Sequence, residues 1–169
     1  MATTTNVPVE VYLRSSYEPD AEYVDGNIEQ RFAGEYDHSL WRGAILRGFS
    51  EHEKEWNIRA LPPLRIRVAA KTFRVPDVTL LDRGQPTEQI ITRPPLAVFE
   101  ILSPQDSLPC LKRKLEDYRI MGIPEIWVID PQEGTFSRYH DGQLIRKDTF
   151  SHAEQGITFE MNEIKQLLD

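Results

Sequence analysis

Leu96-Ala-Val-Phe-Glu100-Ile-Leu102 is apolar at every position except one. A strand with one wet face alternates polar and apolar residues, so this run, extending from about Pro94 to Ser103, reads as a central strand covered on both faces. Side-chain alternation sets Glu100 on the face of Val98 and Leu102. A carboxylate buried there without a partner is costly or takes up a proton, so a cation or a strong donor is expected beside it. The plainer reading is a salt bridge to Arg or Lys, or a strand end from which the glutamate reaches solvent.

The preceding strand, Arg74-Val-Pro-Asp77-Val-Thr-Leu-Leu-Asp82, carries a second carboxylate. Val75, Thr79 and Leu81 share the face of Asp77. Pro76 donates no ladder hydrogen bond and marks an edge or a bulge, a common way of re-aiming a side chain. Pro-Asp also starts many turns, so alone it says little. Together, two carboxylates on successive strands could converge on a hard cation that keeps waters and takes phosphate oxygens. Such a metal stabilises charge at phosphorus and lowers the pKa of attacking water.

The rest of the chain supplies flanking elements. Glu22-Tyr-Val-Asp-Gly26-Asn-Ile-Glu reads as a hairpin turned at Asp25-Gly26. From Asp37 to about Trp56, Trp41, Ile45, Gly48, His52 and Trp56 fall on one helical stripe, and His38 lies beside it in the first turn. His38 is either a core or interface histidine satisfied by a backbone group or a ligand or proton carrier in the site. Glu35 and Asp37 read as acids that cap the helix and favour its dipole. Ile58 to Val68 reads as one extended stretch. Leu108 to Met121 reads as a second helix with Leu111, Leu115 and Tyr118 buried and Gly122 as its stop. Lys114 borders that stripe and could snorkel towards the end of a neighbouring strand, whereas Arg113 points away. Glu125 to Asp130 is another buried strand, Thr135 to Tyr139 and Leu144 to Phe150 a hairpin around Asp141-Gly142, and Asn162 to Leu168 a terminal helix. This order predicts an α/β (α+β) chain: a mixed sheet flanked by helices, with extra hairpins at the termini.

With 169 residues, one domain over 1–169 is expected. Hydrophobic residues at 40% and charged ones at 28% exclude a disordered or membrane-embedded chain, and no apolar run nears the roughly 20 residues of a membrane span. The start, MATTTNVPVEVYLRS, lacks the pattern of a signal peptide, so a cytoplasmic location is expected. The single cysteine, Cys110, reads as a packing residue. His52, His140 and His152 form no metal spacing and read as structural or exposed. A net charge of -7 argues against a broad phosphate-binding surface, although Arg59, Arg65, Arg67, Lys71 and Arg74 supply a local basic segment.

Pro76-Asp77-Val, Phe-Glu100-Ile-Leu-Ser-Pro104, Lys114-Leu-Glu-Asp-Tyr118 and Gly122-Ile-Pro-Glu-Ile-Trp-Val-Ile-Asp-Pro131, with Glu22-Tyr-Val-Asp-Gly26 and His38, run in this order over most of the chain. The string resembles the Uma2 family of restriction-endonuclease-like proteins. The resemblance implies a PD-(D/E)XK nuclease fold, Mg²⁺ (or Mn²⁺)-dependent hydrolysis of phosphodiester bonds in DNA, and a site of Asp77, Glu100 and a lysine. Leu102 stands where the superfamily places that lysine, and the resemblance assigns it instead to the following helix, at Lys114.

The expectation is therefore an endonuclease in which Asp77 and Glu100 hold the metal, Lys114 orients water or stabilises charge, and His38 assists. DNA is the expected partner, membranes are not, and a homodimer is expected, since small nucleases commonly cut duplexes in pairs. Two alternatives stand beside it: a nuclease-derived binding or assembly module that has lost catalysis, and a hydrolase of another phosphorylated substrate.

Overall fold

The computed structural model describes residues 6–169. The chain begins with α1 (Val9–Arg14), β1 (Glu22–Val24) and β2 (Asn27–Glu29), then α2 (Tyr36–Ser50) and α3 (Glu53–Trp56). Next come β3 (Ile58–Leu61), β4 (Ile66–Ala69), β5 (Thr72–Arg74), β6 (Val78–Asp82) and β7 (Ala97–Ile101), followed by α4 (Leu108–Met121). The remainder is β8 (Glu125–Asp130), β9 (Thr135–His140), β10 (Gln143–Arg146), β11 (Thr149–His152), β12 (Ile157–Glu160) and α5 (Asn162–Gln166).

A six-stranded sheet in the order β10-β9-β8-β7-β6-β3 forms the centre. Every pair in it is antiparallel except β7 with β8. A parallel pair needs a crossover, and α4 is that crossover. This places α4 over one face of the sheet, where Leu111, Leu115 and Tyr118 pack with Val98 of β7 and Val128 of β8, and with Ile66 and Val68 of β4. On the opposite face, Trp41, Ile45 and Phe49 of α2 pack against Ala97, Phe99 and Ile101 of β7, with Phe150, Phe159 and Ile164 closing the layer. Strand β7 is thus buried along its whole length, as its composition requires. A second, four-stranded sheet in the order β2-β1-β5-β4 lies against α4, and its outer side holds α1 through Tyr12, Tyr23 and Phe73.

Several expected boundaries move. The helix expected to run to Trp56 stops at Ser50 and resumes as one turn, α3, after which Asn57 takes a left-handed conformation (φ 53°) that sends the chain into β3. Ile58 to Val68 is not one stretch: Pro62-Pro63 separate β3, in the large sheet, from β4, in the small one. Arg74 to Asp82 likewise divides, β5 joining the small sheet and β6 the large one, with Val75-Pro76-Asp77 as the joint. The hairpin at Asp141-Gly142 closes with β10 ending at Arg146, and Phe150 belongs to β11, which pairs with β12. Cys110 is exposed and not a packing residue, because it falls off the Leu111, Leu115, Tyr118 stripe. No helix among the described residues is long and apolar enough to cross a membrane.

Candidate active site

The joint between the two sheets carries Asp77, and β7 carries Glu100. Val78 pairs with Phe99 in antiparallel register, so Asp77, one residue earlier, continues the ladder opposite Glu100. The main chain confirms the alignment: the Ile101 N–H donates to Asp77 Oδ2 at 2.8 Å. By alternation with Val98 and Val128, Glu100 points to the α4 face, and both carboxylates are buried, Asp77 3% and Glu100 6% exposed.

Each acid has its own set of partners. Asp77 Oδ1 accepts from the Arg31 guanidinium at 2.9 Å and lies 3.2 Å from His38 Nε2. Burial alone would raise its pKa. The hydrogen bond and charge of His38, the charge of Arg31 and the Ile101 N–H outweigh that and hold the carboxyl below its ordinary value. Glu100 Oε1 accepts from the Tyr118 hydroxyl at 2.6 Å, and its Oε2 lies 3.7 Å from Lys114 Nζ. Burial pushes Glu100 up to about 7, the charges of Asp77 and Glu22 adding to the rise while Lys114 and Tyr118 oppose it. Burial would lower Lys114, but Glu100, Glu22 and Asp77 reverse the effect and hold its pKa above the ordinary lysine value. Lys114 is therefore held in its charged form at neutral pH.

Sequence reasoning missed Glu22 as a member of this cluster. On β1 it sends Oε1 to Lys114 Nζ at 3.0 Å and Oε2 to the Val75 N–H at 2.9 Å. The Val75 bond fixes the main chain immediately before Pro76 and so aims Asp77. Arg74, read as part of a basic segment, is 1% exposed and bridges elements: its Nε donates to Asp117 of α4 at 2.8 Å, and Nη1 lies 3.4 Å from Glu29 of β2 and 3.7 Å from Glu22. Arg65 is likewise consumed, against Asp20 at 2.7 Å. Two of the five cations of the expected basic segment, Arg65 and Arg74, are thus turned to internal ion pairs, which interrupts a continuous phosphate-binding strip. A lone acid between apolar neighbours, Ala21-Glu22-Tyr23, is only a weak non-periodic signal for Glu22, and nothing local marked Arg31, which reaches Asp77 from the loop after β2.

The structure brings Asp77, Glu100, Lys114 and His38 into one cluster and excludes the other histidines. His52 stacks on Trp56 with ring centroids 4.2 Å apart, and His140 and His152 meet only exposed acids. His38 Nδ1 is buried with no hydrogen-bond partner, so the backbone group of the plainer reading is not there. Glu35 precedes α2 without capping it through its side chain, which instead accepts from Gln105 at 3.0 Å.

Residues 9–161 match the Uma2 family, described as "putative restriction endonuclease". The chain belongs to the Uma2 family. A solved structure described as a putative nuclease of DUF820 from Anabaena variabilis is 21% identical and superposes with a TM-score of 0.80, covering 96% of this chain and 99% of that one. At that identity the likeness establishes the fold, which is the restriction-endonuclease-like one. A cryo-electron-microscopy structure of a DrdV-DNA complex is 17% identical over 75% of this Uma2 chain and 11% of that one, with a TM-score of 0.41. No curated protein matches the chain.

The acids also allow a metal to be weighed. Among the described residues no three His, Cys, Asp or Glu side chains gather into a metal-holding group. Asp77 and Glu100 nonetheless offer carboxylate oxygens from facing positions on adjacent strands, the donor chemistry of a hard divalent cation that completes its shell with water and substrate oxygens. Two carboxylates in this Uma2 chain thus fit such an ion.

Proposed function

We propose that this protein is a metal-dependent endonuclease that hydrolyses phosphodiester bonds of DNA, with Asp77 and Glu100 holding Mg²⁺ or Mn²⁺. The observation that carries the reading is the register of β6 against β7, which sets two buried carboxylates opposite each other beside a half-buried lysine. Membership of the Uma2 family supports the nuclease class. The cation, when bound, stabilises negative charge at phosphorus and lowers the pKa of a bound water.

The chain's own residues do the rest. Lys114 supplies a permanent positive charge next to Glu100, where it orients a water or meets a non-bridging phosphate oxygen. Tyr118 holds Glu100 Oε1 by its hydroxyl, leaving Oε2 towards Lys114. His38 and Arg31 hold Asp77 in its charged form, and Arg31, 14% exposed, can turn from Asp77 to a substrate phosphate once a metal takes its place. Glu22 positions Lys114 and, through Val75, the joint that carries Asp77.

A homodimer belongs to the same proposal. All four residues of β10 are exposed, and β10 is the outermost strand of the large sheet. Pairing of two such edges would be isologous and antiparallel.

A specific observation favours a second reading, a nuclease-derived binding module without catalysis: Asp77 Oδ1 is already engaged by two side chains that a metal must displace. Calorimetric titration with Mn²⁺ and Mg²⁺ separates the two. The nuclease reading expects saturable binding that Asp77→Asn abolishes. Absence of binding in the unaltered protein selects the module.

A further inference from the structure

At the far end of β6 from Asp77 lies a cavity of about 520 Å³ that the acid cluster does not use. Its volume falls within the range of small-ligand sites, about 300–1,000 Å³. Three segments build most of it, and Leu64 joins them from the loop between β3 and β4. β3 contributes Arg59 and Leu61, whose partners across the ladder are Leu81 and Thr79. β6 and the turn after it contribute Leu81 and Arg83, and the loop before β7 contributes Arg93 with Pro94 and Pro95. The aliphatic side chains of Leu61, Leu64 and Leu81 give it an apolar surface. The prolines fix their own φ and make a stiff wall, so the cavity does not depend on ordering when a ligand arrives.

Arg59, Arg83 and Arg93 converge there from separate parts of the sequence. Among the described residues none of their guanidinium groups forms an ion pair within 4.0 Å, unlike Arg65 and Arg74. The two carboxylates in the wall are engaged locally: Asp82 accepts from the Gly84 N–H, and Glu88 from the N–H groups of Thr92 and Arg93 and from the Thr92 hydroxyl. An apolar surface beside three arginines that form no ion pair within 4.0 Å suits a ligand with a flat apolar body and an anionic group, because guanidinium both stacks on planar rings and pairs with phosphate.

We propose that this cavity is a nucleotide-binding site, the base lying on the leucine surface and the phosphate among Arg59, Arg83 and Arg93. The choice of a nucleotide among amphipathic anions rests on the nuclease reading and on placement. Leu81 and Asp77 follow the same alternation along β6, four residues or about 13 Å apart at about 3.3 Å per residue. The cavity and the acid pair therefore belong to the same side of the sheet, the side on which Leu81 packs with Val98 and Leu115.

Thymidine 5′-monophosphate titrated calorimetrically into the full chain in EDTA tests this without metal or cleavage. Failure here is thereby distinguishable from failure of the nuclease reading, which a cleavage assay decides. The expected result is saturable binding with Kd below about 1 mM, weakened at least about tenfold in Arg59→Ala/Arg83→Ala/Arg93→Ala. All three positions are exposed, so the melting temperature should hold, and the single variant Arg83→Glu should weaken binding in the same direction if the triple variant fails to fold. An oligothymidylate that competes for the site identifies a strand as the source of the nucleotide, and one that does not identifies the free nucleotide. Absence of binding up to about 10 mM, unchanged affinity in both variants, or hexyl phosphate binding as tightly as the nucleotide would overturn the proposal.

Discussion

Lys114 stands between two buried carboxylates, Glu22 at 3.0 Å and Glu100 at 3.7 Å, and so does not behave as an ordinary surface residue. Removing one partner of a buried ion pair leaves the others uncompensated. Lys114→Ala should therefore lower unfolding stability by about 2 kcal/mol, a figure reduced from that of a fully buried pair because the side chain is 20% exposed, as well as lower cleavage by about 100-fold or more. Adding Glu22→Gln should restore much of the stability and none of the cleavage. Denaturant unfolding and initial rates measured on both variants check this, and recovery of cleavage in the double variant would contradict the role given to Lys114.

Glu100 makes a pH-dependent prediction. Its pKa rises from 4.5 to about 7 on folding, so the neutral acid's stabilising contribution is complete below pH 4.5 and is lost as pH rises through about 7. In the metal-free protein Glu100→Gln should melt higher than the unaltered chain at about pH 8 and with little difference at about pH 4. Thermal scans across that range check the sign, and a variant less stable at high pH than at low pH, relative to the unaltered chain, would contradict it.

Among the elements, α4 and the β5–β6 joint set the site. Arg74 ties β5 to α4 through Asp117 and to the β1–β2 hairpin through Glu22 and Glu29. Its Nη2 comes within 2.7 Å of Asp117 at an angle too poor for a hydrogen bond, so Nε carries that contact. Arg74→Met should cost about 3 kcal/mol, chiefly by leaving buried Glu22 short of a cation, since Asp117 and Glu29 reach solvent. It should also loosen the small sheet from α4, read as faster amide exchange in both. Unchanged exchange would show that hydrophobic contacts alone hold this junction.

The strands and helices that carry one strong pattern were legible in the sequence. α4 and β8 fall within the expected limits because each is a single unbroken period bounded by Gly122 or Asp130-Pro131. The same alternation placed Glu100 on its face. What was not legible is where an extended run changes sheets. β5 and β6 read continuously, since the composition on the two sides of Pro76 is alike and only their partners differ. Glu22 and Arg31 were missed for a related reason. They reach the site through pairings between distant segments, Glu22 to Lys114 and Arg31 to Asp77, that leave no periodic trace.

Over the whole molecule, a net charge of -7 leaves little long-range attraction for a phosphate backbone. Nucleic-acid contact is then local, at a metal, at Lys114 and Arg31, and at the cavity of Arg59, Arg83 and Arg93. The edge strand β10, with Leu144 38% and Ile145 48% exposed, offers the pairing surface for two copies. Light scattering at tens of micromolar, roughly where weak dimers form, should give a dimer that Ile145→Lys converts to monomer. A monomer in the unaltered protein would remove the homodimer from the proposal.

The Asp77–Glu100 pair is proposed as a metal-dependent nuclease centre, and a DNA cleavage assay decides it. Supercoiled and linear DNA incubated with the protein and Mg²⁺ or Mn²⁺ should be cut, EDTA should stop the reaction, and Asp77→Asn and Glu100→Gln should each lower the rate by about 100-fold or more. A protein that binds Mn²⁺ through these acids and yet leaves DNA intact, or cleavage that survives both substitutions, would contradict it.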